Sequence, residues 1–522
     1  MNAGWKKTIY WVFFIVLLLE FIFGYYLAAI YGFMSGDASS RVANAFYVLY
    51  SREPGLANIG FIWNPLPSFM EMIVLVLYPL FPSLASEGIA AVIVSSLFAA
   101  LTAAMIVKAG MLYGLKRWQS VILALLYAFN PYIFYYGANG LTEAIFIYFI
   151  SMAVLQLLLW ARGDETKPLV LVAFALALGF WTRYETVFFG AAVALAVLAW
   201  IMRESQTPLK ERYQKLEGLW VVVLTPVIFS GLLWIFFNYT IMGDGFYFLT
   251  SDYGNLGQAE LLKSDAKFAA LVNNPLATLA YVGERVWYFS IPLAIVFVIR
   301  LFERRVLKWD FLILVMLTAS IPAMQALLLI RGGTAAWIRY YMYVFPIVIV
   351  WLPYEISKMK YRKTGMTALL AGLLASGWFM FGMMNNMNIA SDEYEAFRHN
   401  KLYAEQQAAR DVVDYVKENL PDRMILTDSF SSFTIIMGSG RPKNFIVTSD
   451  SDFKDSLDSP VDSIADYVLL PNPEVDVSPK YRLDTINQQY PGLYADGTEW
   501  ATMEKEFGGF WKLYRIRKGE SE

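Results

Sequence analysis

The chain has no cysteine and a single histidine among its 522 residues. Without cysteine there is no disulfide, no thiolate ligand for a metal and no thiol nucleophile. One histidine excludes a histidine-rich metal site and argues against a Ser-His-Asp triad. Charge is also scarce. Asp, Glu, Lys and Arg make up 16% of the residues, against roughly 25% in soluble domains. The net charge of -2 gives a nucleic acid no basic surface to bind, so no nucleic-acid partner is expected.

What the chain has is hydrophobicity, 57% of its residues, gathered into runs of about 16 to 24. Such runs are long enough to cross a bilayer core of about 30 Å. The expected fold is an α-helical polytopic membrane protein with about eleven spans. They are Ile9–Tyr31, Gly88–Leu112, Gln119–Tyr136, Leu141–Ala161, Pro168–Thr182, Thr186–Met202, Leu219–Ile241, Val286–Phe302, Phe311–Ile330, Tyr340–Ile356 and Met366–Met384. The first run lacks a small-residue cleavage site and reads as a retained anchor. Phe69–Phe81 is apolar but too short to cross, so it should lie at the interface or re-enter it.

Lys and Arg cluster in alternate loops: Lys6 and Lys7; Lys116 and Arg117; Arg162 and Lys167; Arg203 to Lys215; Arg300 to Lys308; Lys358 to Lys363. The positive-inside rule makes these loops cytoplasmic, and an odd number of spans then puts the C-terminal tail outside. From about Asn388 the composition turns soluble. Leu402–Asn419 has helical periodicity, and Arg423–Thr427, Asn444–Thr448, Tyr467–Leu470 and Trp511–Ile516 read as strands. The expected organisation is a membrane module over 1–387 and a small extracytoplasmic α/β domain over 388–522.

The residues of chemical interest all fall on the outer side of this layout. Asp37, in Gly36-Asp37-Ala38-Ser39-Ser40-Arg41, follows the first span. A carboxylate there can take the proton of an attacking hydroxyl or amine, or cap a helix over Ala38–Tyr50, or both. Arg41, one turn later, could orient that acid, meet a phosphate, or form a plain surface pair. Glu143 lies at the mouth of a span, where an acid must be paired or face water. It could bind sugar hydroxyls, hold an arginine, or cap its helix together with Thr142. Arg183 and Glu185 lie between two spans of about 16 residues, roughly 24 Å each, so their turn should sit sunk with its charges facing inward. A substrate contact and an ion pair fastening the bundle are both open for them. Arg331 and Arg339 flank a short external turn, and Arg339-Tyr340-Tyr341 begins the next span. Cations outside run against the positive-inside trend, and a lipid phosphate would explain them, as would interfacial snorkelling. Glu20, inside the first span, should have a partner within the bundle. His399 reads as a linker residue.

Taken together, these residues resemble the GT-C glycosyltransferases, in the group of the protein O-mannosyltransferases and the lipid A aminoarabinose transferase. The resemblance covers about residues 9–385. Gly36-Asp37 with Trp63-Asn64-Pro65-Leu66-Pro67 is similar to that family's first external loop. Leu141-Thr142-Glu143-Ala144-Ile145-Phe146 resembles its Thr/Ser-Glu helix start, and Trp181-Thr182-Arg183-Tyr184-Glu185 its Thr-Arg-Pro-Glu turn, with tyrosine for proline. Arg339-Tyr340-Tyr341-Met342 resembles its Arg-Tyr span start. The resemblance implies transfer of one sugar, with inversion, from a polyprenyl-phosphate donor at the outer face. Asp37 would be the base, and an arginine would steady the departing lipid phosphate. The mannosyltransferases usually carry an Asp-Glu pair where this chain has Asp37-Ala38. The acceptor, whether glycan, lipid or protein, therefore stays open.

The expected function is a glycosyltransferase of the cell membrane with Arg41, Glu143, Arg183, Glu185, Arg331, Arg339 and Tyr340 around the substrates. No metal site is predicted, and a need for a divalent cation stays open. The alternative is a transporter or flippase of a lipid-linked saccharide. It calls for an inverted repeat and polar residues at the midplane of several spans, and the chain has neither. A scaffold for envelope partners would leave the acid and the arginines without a role.

Overall fold

The computed structural model describes residues 3–163, 165–204, 206–251, 254, 266–398, 401–475 and 479–518. His399 lies outside the described residues. The apolar runs become helices. Among the described residues six of them are long and apolar enough to cross a membrane: Ala3–Tyr31, Ile89–Leu112, Glu143–Gly163, Leu209–Met242, Trp309–Ile330 and Arg362–Met384.

Two expected spans are not straight. Gln119–Tyr136 breaks into Arg117–Ala128 and Pro131–Ala138, bent by 71°. Pro131 has no N–H to continue the helical ladder, and the Asn130 side chain accepts from the Tyr132 N–H in its place. Val286–Phe302 becomes Pro275–Phe289 and Ile291–Phe302, bent by 84° with Pro292 just beyond the break. If each bent pair is one span, the long spans number up to eight among the described residues. Thr166–Phe180 and Thr186–Met202 are shorter apolar helices of 15 and 17 residues. Leu66–Leu75, with 10, is the short apolar segment of the first long loop. Val344–Lys358 carries the tenth expected span but starts later than Tyr340.

Small residues let the helices close up. Ile89–Leu112 is buried along most of its length through Ala90, Ala91, Ala99, Ala100, Ala103 and Ala104. Close backbone approach of this kind supplies the packing that hydrophobicity cannot supply between helices in lipid. A Cβ added at Gly24 would fall 2.2 Å from the Ala138 carbonyl oxygen. Glu20 is fully buried and faces the bundle, its Oε2 2.4 Å from where a Cβ on Gly137 would be, but neither carboxylate oxygen has the expected hydrogen-bond partner among the described residues. At the far end of the bundle, buried Arg300 joins Asp310 at 2.9 Å and Glu355, fastening three helices.

After the last long helix the chain forms a mixed five-stranded sheet. Its strands are β1 (Ile425–Leu426), β2 (Phe445–Ile446), β3 (Tyr467–Pro471), β4 (Ala501–Phe507) and β5 (Trp511–Ile516), in the order β2-β1-β3-β5-β4. β1 runs parallel to β2 and β3, and β5 antiparallel to β3 and β4. Lys401–Asn419 is a helix, as its periodicity predicts. β4 has no counterpart among the expected strands, because every side chain between Ala501 and Phe507 is exposed and no alternation marks it. The sheet region docks on the segments that follow the first long helix. Arg52 pairs with Asp450 at 3.2 Å and with Asp452, Ser451 donates to Glu53 at 2.8 Å, and Gln406 donates to the Met34 carbonyl at 2.8 Å.

Candidate active site

Asp37 sits in the first turn of helix Gly36–Tyr50, and the N-cap position is Ser35. The helix starts before Asp37, so the expected capping role is replaced: no side chain caps this helix. The free carboxylate instead accepts from Arg339, Nη2 to Oδ2 at 2.6 Å. The Asp37 side chain is 58% exposed, whereas that of Arg339 is 5% exposed. The acid is reachable and the cation beside it is held.

Arg339 does not open an α-helix, as its sequence suggests. It lies in a 3-10 turn, Ile338–Tyr341, before Val344–Lys358 begins. Its other Nη donates to Asp392 Oδ2 at 2.7 Å, and its Nε lies 3.5 Å from Glu143 Oε1. Its guanidinium stacks 4.3 Å from the Trp337 ring centre. Three carboxylates therefore surround one guanidinium.

Glu143, the first residue of Glu143–Gly163, is 1% exposed and stands between two arginines. Arg183 Nη1 donates to its Oε1 at 2.9 Å and to Thr142 Oγ1 at 3.1 Å. The same Arg183 grips Glu185 through Nε at 3.1 Å and Nη2 at 2.8 Å. So Arg183 and Glu185 form an ion pair, one of the two roles left open for them. Tyr340 lies under both cations, its ring centre 5.3 Å from Arg183 and 5.6 Å from Arg339. At Tyr184, where the resembled motif has proline, the hydroxyl donates to the Ile62 carbonyl at 2.9 Å and accepts from Trp234 at 3.0 Å.

Arg41 is buried, but it forms no ion pair with Asp37. Its Nη1 donates to the Asn64 carbonyl at 2.6 Å and its guanidinium stands 5.5 Å from the Trp63 ring centre. Asn64 in turn donates to the Phe180 carbonyl at 2.6 Å. Arg41 thus pins the Trp63–Asn64 loop to the Arg183 turn instead of orienting the acid. Arg331 departs further. It terminates helix Trp309–Ile330, is exposed, and does not line the pocket that holds the others. The tight Gly332-Gly333 turn separates it from Arg339.

That pocket is lined by Asp37, Arg41, Glu143, Arg183, Glu185, Arg339 and Tyr340, seven of the eight candidates, with Trp63, Asn64 and Gln325 among its other walls. Two acids escaped the sequence reading. Asp392 and Glu393 open the short helix Ser391–Ala396 just after the last long helix. Their signal was an acid pair immediately outside a span. Glu393 is buried and accepts from the hydroxyls of Tyr132 and Tyr136, both at 2.6 Å. Burial and the neighbouring Asp392 push its carboxyl above the usual range, while the two tyrosine bonds pull it down.

The fold and pocket define a class: a multi-pass helical membrane protein with a charged, aromatic-lined site at one end of its bundle. The sequence model described as dolichyl-phosphate-mannose-protein mannosyltransferase matches residues 72–234, less than half of the chain. The match takes in Glu143, Arg183 and Glu185, and not Asp37 or Arg339. The chain resembles the GT-C glycosyltransferases, and the match supports glycosyl transfer of that kind. Among solved structures, the Archaeoglobus fulgidus oligosaccharyltransferase in complex with Zn and sulfate is similar. It has 11% identity and a TM-score of 0.46, over 87% of this chain and 68% of that one. A likeness of that size assigns no substrate and no site residue. No curated protein matches the chain.

Proposed function

We propose that this protein transfers a sugar, with inversion, from a polyprenyl-phosphate donor to an envelope acceptor at the outer face of the membrane. The observation that carries this reading is the gathering of seven candidate residues, from four separate stretches of chain, into one pocket. The reachable carboxylate of Asp37 takes the proton of the acceptor hydroxyl or amine. The acceptor atom bonds to the anomeric carbon as the bond from that carbon to the phosphate oxygen breaks. The lipid phosphate leaves with the electron pair.

Arg339 is the group best set to meet that phosphate. A guanidinium binds phosphate oxygens bidentately, and its three carboxylates hold it in position before the substrate arrives. Arg183, gripped by Glu143 and Glu185, shapes the neighbouring wall. The N-terminus is cytoplasmic and the sheet region extracytoplasmic, following the lysine and arginine pattern. Residues 388–522 form a separate domain that covers the site or selects the acceptor, while the base stays in the membrane module.

The test is transfer by the purified protein from a synthetic polyprenyl-phosphate hexose, read as release of polyprenyl phosphate. Release by the wild type and none by Asp37→Asn is the expected result. Equal release by both would overturn the assignment of the base. Transport of the intact donor across vesicles without bond cleavage would replace the enzyme by the flippase.

A further inference from the structure

Three helices that begin at the Asp37 pocket end together at a second cavity. Glu143–Gly163 starts with Glu143 and ends beside Arg162; Thr186–Met202 follows Glu185 and is followed by Arg203; Val344–Lys358 follows Arg339 and Tyr340. The first has 21 residues, which at ~1.5 Å each is about the thickness of a bilayer core. The second cavity therefore lies at the opposite membrane boundary. Its volume is about 640 Å³.

The chemistry of its walls is uneven. Arg162, Arg203 and Lys358 line it, and none has a carboxylate partner among the described residues. The acid present, Asp310, is already taken by Arg300 through two bonds of 2.9 and 3.0 Å. Aromatic rings back the cations: Arg203 stands 4.2 Å from the Trp200 ring centre and Arg162 5.9 Å from that of Tyr113. Two buried donors in the wall, the Tyr113 hydroxyl and the Trp351 indole N–H, have no hydrogen-bond partner among the described residues. The residues are only 9% and 2% exposed, so leaving these donors unmatched is costly.

We infer that this cavity binds the phosphate headgroup of an anionic phospholipid from the leaflet opposite the Asp37 pocket. Three cations supply the charge, and the two buried donors supply bonds to headgroup oxygens. Leu112, Leu157 and Leu158 in the same walls suit the start of an acyl chain, which a free phosphate ion lacks. The inference is independent of the transfer reaction and is tested without turnover.

The experiment reconstitutes the full chain in nanodiscs of phosphatidylcholine with a minor fraction of phosphatidylglycerol and counts retained lipids by native mass spectrometry. The wild type should keep phosphatidylglycerol over phosphatidylcholine. Arg203 and Lys358 are exposed at the rim, so Arg203→Gln and Lys358→Gln leave the packing intact. Each should weaken retention by roughly fivefold. Tyr113→Phe, which removes only the hydroxyl, should also weaken it, and millimolar inorganic phosphate should not displace the lipid. No preference for phosphatidylglycerol overturns the inference. So does a preference untouched by all three substitutions, or saturable binding of inorganic phosphate in place of the lipid.

Discussion

Arg339 and Asp37 are 302 positions apart in sequence, and their side chains meet at 2.6 Å. The contact ties the start of the second helix to the turn before Val344–Lys358. It makes a single unit of the proposed base and the proposed phosphate ligand.

Asp37→Asn should abolish transfer and leave the fold intact. The amide keeps the shape, the side chain is more than half exposed, and it caps no helix. Loss of a general base typically costs about 10²- to 10⁴-fold in rate. Single-turnover transfer by the purified variant, alongside its melting temperature, separates the two effects.

Arg339→Lys should be slow and Arg339→Ala slower, mainly in kcat and not in acceptor KM. Lysine keeps the charge but loses the planar fork that now reaches Asp37 and Asp392 together. Alanine also leaves three carboxylates facing one another, so its melting temperature should fall while that of the lysine variant falls less. Wild-type turnover by Arg339→Ala would transfer the phosphate role to Arg183.

Glu393 sets a pH dependence of stability. Its folded-state pKa is raised, mainly by burial, so the native protein holds this proton more tightly than the unfolded chain. The corresponding stability is present below the ordinary carboxylate pKa and is lost as pH rises through the raised value. Glu393→Gln cannot ionise, so its melting temperature should decline less over that interval. Parallel melting curves for the two proteins from acid to neutral pH would count against this role.

Reporter fusions after Met384 should score outside, and fusions within Arg203–Lys215 inside. The reverse would move Asp37 to the cytoplasm and remove the proposed donor from reach.

The helices were legible because membrane spans are written in composition. The bends were not, because a proline within an apolar run can end a helix, kink it or simply start one. Asn130-Pro131 and Ile291-Pro292 fall in runs whose hydropathy shows no break. Six of the pocket residues were legible as charges stranded at one membrane boundary, an observation about cost that needs no structure, and Tyr340 as the neighbour of Arg339. Arg331 meets the same criterion and is not in the pocket, since cost at a boundary does not tell inward from outward. Asp392 was hidden by its position. It follows the last span, where the composition already reads as soluble and an acid carries no cost. For Arg41, helical spacing points to Asp37 and cannot reveal the Asn64 carbonyl that its guanidinium meets.

The two short helices around Arg183 make bilayer thickness a variable of the proposed reaction. Thr166–Phe180 and Thr186–Met202, at 15 and 17 residues, reach about 22 and 26 Å, several ångströms short of an average hydrocarbon core. The bilayer must thin beside the Arg183 turn, or the turn must tilt toward the surface. Tyr184, bonded to Ile62 and Trp234, resists that tilt. Lengthening the acyl chains of the host membrane should therefore strain the pocket from one side only. Turnover should fall as bilayers thicken and recover when Tyr184→Phe loosens the tether.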